Sequence, residues 1–284
     1  MLRTNKEKLP VVAVQGQVWP CRFAPPGKLS PEGKIYCLQG TGGITYNAAI
    51  GDCCMGWAAD HLEPGVTAKH PDNLINNAFV TFSCIGNIAE IKSGDAKGEK
   101  GFVTGKHGGV EHLLIYFPQE TLKKLSVDDQ IMVYATGQGL TFPDYPGIEL
   151  RSVSPSLLAK LHIREEKNRL LIGVSKIIPG ELLGSGIGAN TTSTGDYDVN
   201  MHDREAVLHY GLENLRFGDL VAVTNSDPRF GREYRQGAIT IGVVIHGDCV
   251  AAGHGPGITT LMSCKEPIIE PFLDSTSNLA DFFL

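Results

Sequence analysis

The stretch Gly237-Ala-Ile-Thr-Ile-Gly-Val-Val-Ile-His246-Gly-Asp248-Cys249-Val-Ala-Ala-Gly253-His254-Gly255-Pro256-Gly257 decides how this chain is read. Ile239 to Ile245 is apolar and rich in β-branched residues, which favours a buried strand. That strand ends at His246, and a second histidine follows between glycines. Strand ends that open onto glycine loops are favoured places for ligands and catalysis.

Working outward, the same grammar repeats. Val11-Val-Ala-Val14, Ile88-Ala-Glu-Ile91, Leu113-Leu-Ile-Tyr116, Ile131-Met-Val-Tyr134, Leu170-Leu-Ile-Gly-Val174 and Leu220-Val-Ala-Val223 all read as short strands. Of 284 residues 34 are glycine, well above the usual ~7%, which suits a fold of many tight turns. Helices are few. Asp72-Asn73 caps one through Leu74–Ser83, Ser154-Pro155 opens one through Leu161, and Asp203–Tyr210 and Ser277–Phe283 are short candidates. Strands do not alternate with long helices, which excludes a doubly wound parallel sheet. The expected fold is therefore α+β and β-rich, with barrel-like or sandwich-like sheets, a few short helices and two parts of similar size.

The charged run Leu161-His-Ile-Arg-Glu-Glu-Lys-Asn-Arg169 is the candidate boundary. It separates an N-terminal β-rich domain, residues 1–163, from a C-terminal β-rich α+β domain, residues 164–284. Leu125-Ser-Val-Asp-Asp129-Gln-Ile-Met-Val133 and Leu215-Arg-Phe-Gly-Asp219-Leu-Val-Ala-Val223 echo one another across it. Each reads as a tight turn running straight into a strand.

Composition narrows the function classes. The formal net charge is -6, which disfavours wholesale nucleic-acid binding. No apolar run reaches the ~18 residues of a membrane helix, and the charged start Met1–Lys8 lacks the core of a secretory leader. The seven cysteines are scattered and odd in number, as expected for reduced thiols in a cytoplasmic protein.

Three glycine-framed segments carry candidate chemistry. In Gly40-Thr-Gly42-Gly43-Ile, amides can converge on an anion or simply turn a hairpin. In Asp60-His61-Leu-Glu63, extended backbone would put His61 and Glu63 on one face, as metal ligands or an oriented base. The text from Ile88 to His112 resembles the KOW motif of ribosomal and transcription-elongation proteins, which implies a small SH3-like barrel turn. Within it, Gly105-Lys106-His107-Gly108 offers a lysine for a substrate carboxylate or phosphate and a histidine titrating near neutrality, or only a solvated turn. In the third segment His246, Asp248 and His254 can ligate zinc, manganese or iron. Cys249 reads as a buried strand cysteine in preference to a nucleophile. Arg216 is placed to clamp a carboxylate or to form a surface ion pair, and Asp227–Arg232 forms a polar turn that can act as a lid.

Gly42-Gly43-Ile-Thr-Tyr-Asn, Gly56-Trp-Ala-Ala-Asp-His-Leu-Glu-Pro-Gly65, Ser93-Gly-Asp-Ala-Lys-Gly, Val103-Thr-Gly-Lys-His-Gly-Gly109, His209–Asp219 and Gly253-His-Gly-Pro-Gly257 together resemble the prokaryotic family catalogued as domain of unknown function 4438. The likeness runs from about Gly16 to the C-terminus, with Ala59 standing where a glycine is expected. It implies a two-part protein and carries no activity.

The functional expectation is a small-molecule enzyme, a metal-assisted hydrolase or lyase acting on an anionic metabolite. His61, His107 and His254 are the catalytic candidates, and Lys106, Arg216, Gly42 and Gly43 the substrate-binding ones. Asp60, His61, Glu63, His246, Asp248 and His254 are the candidate metal ligands. Amide hydrolysis of the formamidase kind is one form, by analogy of β-rich architecture and glycine-histidine loops. The alternatives are a non-catalytic ligand-binding or regulatory module and RNA binding through the KOW-like turn. A homo-oligomer is the expected assembly.

Overall fold

The computed structural model describes residues 2–23, 25–185, 191–229 and 234–284. Strands Val12–Val18, Gln130–Ala135, Ile88–Ile91, Lys100–His107, His112–Tyr116 and Gly65–Lys69 are neighbours in that order, and Gly65–Lys69 pairs back onto Val12–Val18, closing a barrel. Every pairing around it is antiparallel. The two-residue strand Ile44–Thr45 adds to Gly65–Lys69 outside the closed ring. Val14, Val18, Val66, Val103, Ile115 and Val133 fill the interior. Helix Asn73–Phe82, capped by the Asp72 side chain, packs Phe79 into this core. A Cβ at Gly16 would stand 2.6 Å from the Phe79 ring, so glycine is what lets the helix close the barrel.

The second half is built on a sheet of Glu149–Leu150, Gly257–Cys264, Tyr234–Val244, Leu220–Ser226 and Lys176–Pro179, with Tyr197–Asp198 added alongside Gly257–Cys264. Its last pair, Lys176–Pro179 with Leu220–Ser226, is parallel. A smaller sheet holds Ile163–Glu166, Arg169–Val174 and Ile269–Leu273. The charged run around residue 165 is thus a hairpin, turned through Lys167 and Asn168 at φ 47 and 62. Strand Glu149–Leu150 belongs to this half's sheet although it precedes that run.

The two halves meet closely. Phe102 and Leu114 from the barrel share a core with Ile245, Leu261 and Leu279. A Cβ at Gly105 would sit 2.4 Å from Ile245 Cγ2, so only a glycine allows that approach. Beside it, the Thr259 hydroxyl accepts from the Lys106 amide at 3.1 Å and donates to the Lys106 carbonyl at 3.0 Å. This seam places the end of the Lys100–His107 strand against residues 245–259.

The echoed turns share one device. Asp129 accepts from the Ser126 amide and Asp219 from the Arg216 amide, both at 2.8 Å, three residues back in each case. Helices Pro155–Leu158, Arg204–His209 and Leu279–Phe283 start at Ser154, Asp203 and Asn278, whose side chains cap them. All seven cysteines are free. Among the described residues no helix is long and apolar enough to cross a membrane.

Candidate functional site

The seam brings together histidines from both halves. His61 and His107 come from the N-terminal half, His246 and His254 from the C-terminal one. The His61 ring centroid lies 5.5 Å from that of His107, 4.9 Å from His246 and 5.6 Å from His254, and His107 and His246 are 4.3 Å apart. A cavity of about 260 Å³ opens on His61, His107, Asp196, Asp198 and His254.

Each of these imidazoles is held from behind through Nδ1. His61 Nδ1 is 3.1 Å from Asp60 Oδ1, and His107 Nδ1 is 2.5 Å from Glu63 Oε1. His246 Nδ1 meets the Gly247 carbonyl at 2.8 Å and His254 Nδ1 the Ala252 carbonyl at 3.0 Å. An acceptor on Nδ1 keeps its proton there and leaves the Nε2 lone pair free. Metal-ligating histidines are typically oriented this way. The Nε2 atoms of His61 and His246 face two carboxylates, from the short Tyr197–Asp198 strand and the residue before it. His246 Nε2 is 2.9 Å from Asp196 Oδ2, and His61 Nε2 is 3.5 Å from Asp198 Oδ2.

The electrostatics favour a cation. Asp196 and Asp198 are buried beside the imidazoles, and burying charge that is not fully satisfied costs several kcal/mol per ion. Burial works against a charged His61, but its hydrogen bonds to Asp198 and Asp60 prevail and push its pKa up to about 12. Burial and the neighbouring His246 lower His107, keeping it the neutral donor a metal needs. His246 Nε2 and Asp196 Oδ2 form a close ion pair that opposes the effect of burial and raises the His246 pKa, yet neither atom makes an aligned hydrogen bond among the described residues. Buried polar atoms are rarely left so. A Cβ at Gly257 would fall 2.0 Å from Asp196 Oδ2 and 2.3 Å from His246 Nε2, so glycine there keeps the space between the two donors clear. Several triads, including His61/His107/His246, His61/Asp198/His254 and Asp196/Asp198/His246, hold donor atoms within 4.8 Å of one another, close enough to hold a metal ion.

Glu63 stands behind this layer. It accepts from the Gly42 amide at 2.7 Å, from the Thr67 hydroxyl, from His107 and from His112 Nδ1 at 3.0 Å. Burial opposes its ionisation, but His112 and His107 hold its carboxyl well below the usual range.

Several expected residues sit elsewhere. His61 adopts φ 50, not extended backbone, so it and Glu63 do not share a face: His61 turns to the cavity and Glu63 lies behind His107. Gly42 turns its amide to Glu63, and Gly43 donates to the Trp19 carbonyl, so these amides serve the protein's own groups and not a substrate anion. Lys106 and His107 end a strand and point to opposite faces. The Lys106 ammonium therefore turns from the cavity and bonds the Thr81 and Ser193 carbonyls at 3.2 and 2.7 Å. Arg216 is tied to Asp219 and the Ser275 carbonyl. Asp248 braces backbone, its side chain on the Cys249 amide and its carbonyl on the His61 amide. Cys249 is buried and donates to Asp60 Oδ1 at 2.9 Å. Of the polar turn read as a lid, Phe230 to Arg232 lie outside the described residues.

Sequence reasoning missed Asp196, Asp198 and His112. The first two form an Asp-x-Asp pair whose side chains strand alternation sends the same way, and that spacing was the signal available.

Fold and cluster together define a β-rich two-part protein with a histidine- and aspartate-lined site at the seam, able to hold a metal ion. The chain belongs to the family described as domain of unknown function (DUF4438): its N-terminal model matches residues 28–159 and its C-terminal model residues 160–283. It is similar to a solved structure titled "Crystal structure of TM1086", 41% identical over 100% of this chain and 99% of that one, with a TM-score of 0.95. No curated protein matches the chain.

Proposed function

We propose that this protein is a metal-dependent enzyme that hydrolyses a small anionic substrate at the seam. One observation supports this most: four imidazoles with Nδ1 engaged gather across a boundary that joins both halves of the chain, and two of them, His61 and His246, turn Nε2 toward Asp198 and Asp196. Imidazole and carboxylate donors suit zinc, manganese or iron. A bound ion of this kind polarises a carbonyl or phosphoryl oxygen and lowers the pKa of water.

The remaining parts come from the chain. Lys28, exposed at the cavity mouth, attracts the substrate's negative group, the task Lys106 and Arg216 are not placed to perform. The cavity adjoins a larger one of about 750 Å³ that shares Lys28, Thr41 and Val110, with Arg22 and Tyr36 on its walls.

The test is metal content followed by turnover. Purified protein should retain a transition metal and gain thermal stability when stripped and resupplied with zinc, manganese or iron. A panel of amides, esters and phosphate esters carrying a carboxylate or phosphate should then show turnover that His246→Ala abolishes while the fold persists. Protein that neither keeps nor responds to any of these metals refutes the reading; metal binding with turnover that survives in His246→Ala refutes its catalytic half.

A further inference from the structure

We infer that the seam holds two divalent cations side by side, bridged by the Asp198 carboxylate. This rests on the metal-site reading above and goes beyond it in number and arrangement. The two oxygens of Asp198 face different partners: Oδ2 lies 3.5 Å from His61 Nε2, whereas Oδ1 lies 3.7 Å from His246 Nε2. Two of the triads, His61/Asp198/His254 and Asp196/Asp198/His246, have only Asp198 in common. Ligands about 2.0–2.2 Å from one ion stand at most ~4.4 Å apart, so each triad is about the size of a single coordination shell. A carboxylate shared through separate oxygens spans neighbouring ions, whose usual separation in two-metal sites is ~3.5–4 Å.

Donor supply and charge agree. His61, His107, His246, His254, Asp196 and Asp198 are more donors than one four-coordinate zinc ion takes. Asp196 and Asp198 are buried together among four imidazoles, a setting of carboxylates and imidazoles that suits divalent cations. The close pair His246 Nε2 and Asp196 Oδ2, 2.9 Å apart without an aligned hydrogen bond, marks the inner position, where His246 is 0% and Asp196 4% exposed. His107, whose ring centre lies 4.3 Å from that of His246, completes it. The outer position, between His61, His254 and the far oxygen of Asp198, borders the cavity and keeps room for substrate. The arrangement is therefore unequal, with a tightly held inner ion and a more exchangeable outer one.

The experiment is a count. Chelator-stripped full-length protein is titrated with Mn²⁺, and bound metal is measured by elemental analysis alongside electron paramagnetic resonance. The expected result is two ions per chain with an exchange-coupled spectrum, while His254→Ala, which removes an outer ligand near the surface, keeps one ion with an uncoupled spectrum. One ion per chain at saturation in the unmodified protein, or two ions without coupling, overturns the bridged pair and leaves the metal site standing. No bound Mn²⁺, zinc or iron overturns the metal site itself and the pair with it. The count on the unmodified protein decides the question even if His254→Ala does not fold.

Discussion

Glu63 and Asp196 are both buried carboxylates beside a histidine, yet they are built to opposite ends. Glu63 is surrounded by donors: an amide, a hydroxyl and two imidazoles. Asp196 is less fully served: its Oδ1 accepts from the Gly108 amide, while Oδ2 lies 2.9 Å from His246 Nε2 without an aligned hydrogen bond among the described residues. A fully satisfied buried charge acts as scaffold, because each bond to it fixes a neighbour and adds roughly 1.5–3 kcal/mol. A half-satisfied one costs stability unless a cation completes it. The contrast separates the part of the cluster that positions ligands from the part that supplies them.

The sharpest way to break this contrast is Gly257→Ala. The new methyl would fall between His246 Nε2 and Asp196 Oδ2, so metal affinity should drop by at least about a hundredfold, the upper end of what orienting groups contribute. Circular dichroism should show the fold intact, and unchanged affinity by calorimetry would remove that gap from the site. Glu63→Gln attacks the scaffold side instead. It takes a charge from two imidazoles and should cost about 3 kcal/mol in denaturant unfolding, with metal affinity falling roughly tenfold through a loosened His107. A variant as stable as the parent would deny Glu63 its scaffold part.

Acid titration of the metal-free protein probes both sides together. Burial raises the Asp60 pKa, but bonds with His61 and Cys249 outweigh it and leave it at about 2, below the ordinary 3.8. A carboxylate depressed on folding contributes stability that is complete above its unfolded pKa and is lost as pH falls through the folded one. Glu63 acts in the same direction. The unfolding free energy should therefore decline from about pH 4 toward pH 2, and Asp60→Asn should flatten that limb. The smallest effect on metal is expected from Lys106→Met. Its ammonium bonds carbonyls away from the cavity, so melting should shift by a few degrees while metal content stays at the parent level. Loss of metal would mean that Lys106 acts on the cleft after all.

Much of this was legible because it is local. Caps at Asp72, Ser154 and Asp203, the aspartate turns at 129 and 219, and alternating apolar runs are settled by residues a few positions apart, and the structure bears them out. The histidine segments stood out for the same reason, since glycines around a polar side chain mark accessible backbone. Local reasoning failed where direction mattered. The left-handed His61 separated it from Glu63, and one residue of strand register turned Lys106 away while keeping His107 in the cleft.

Residue order alone thus set the strands, the caps and the family, because hydrogen bonding within a turn and the burial of alternate side chains need no distant partner. Only packing of one half on the other decided which side chains meet. Asp196 and Asp198 reach His246 because Tyr197–Asp198 pairs with Gly257–Cys264, and His107 reaches them because Gly105 lets the barrel approach Ile245. Those contacts join segments far apart in the chain, and nothing in the spacing of one segment encodes the position of another.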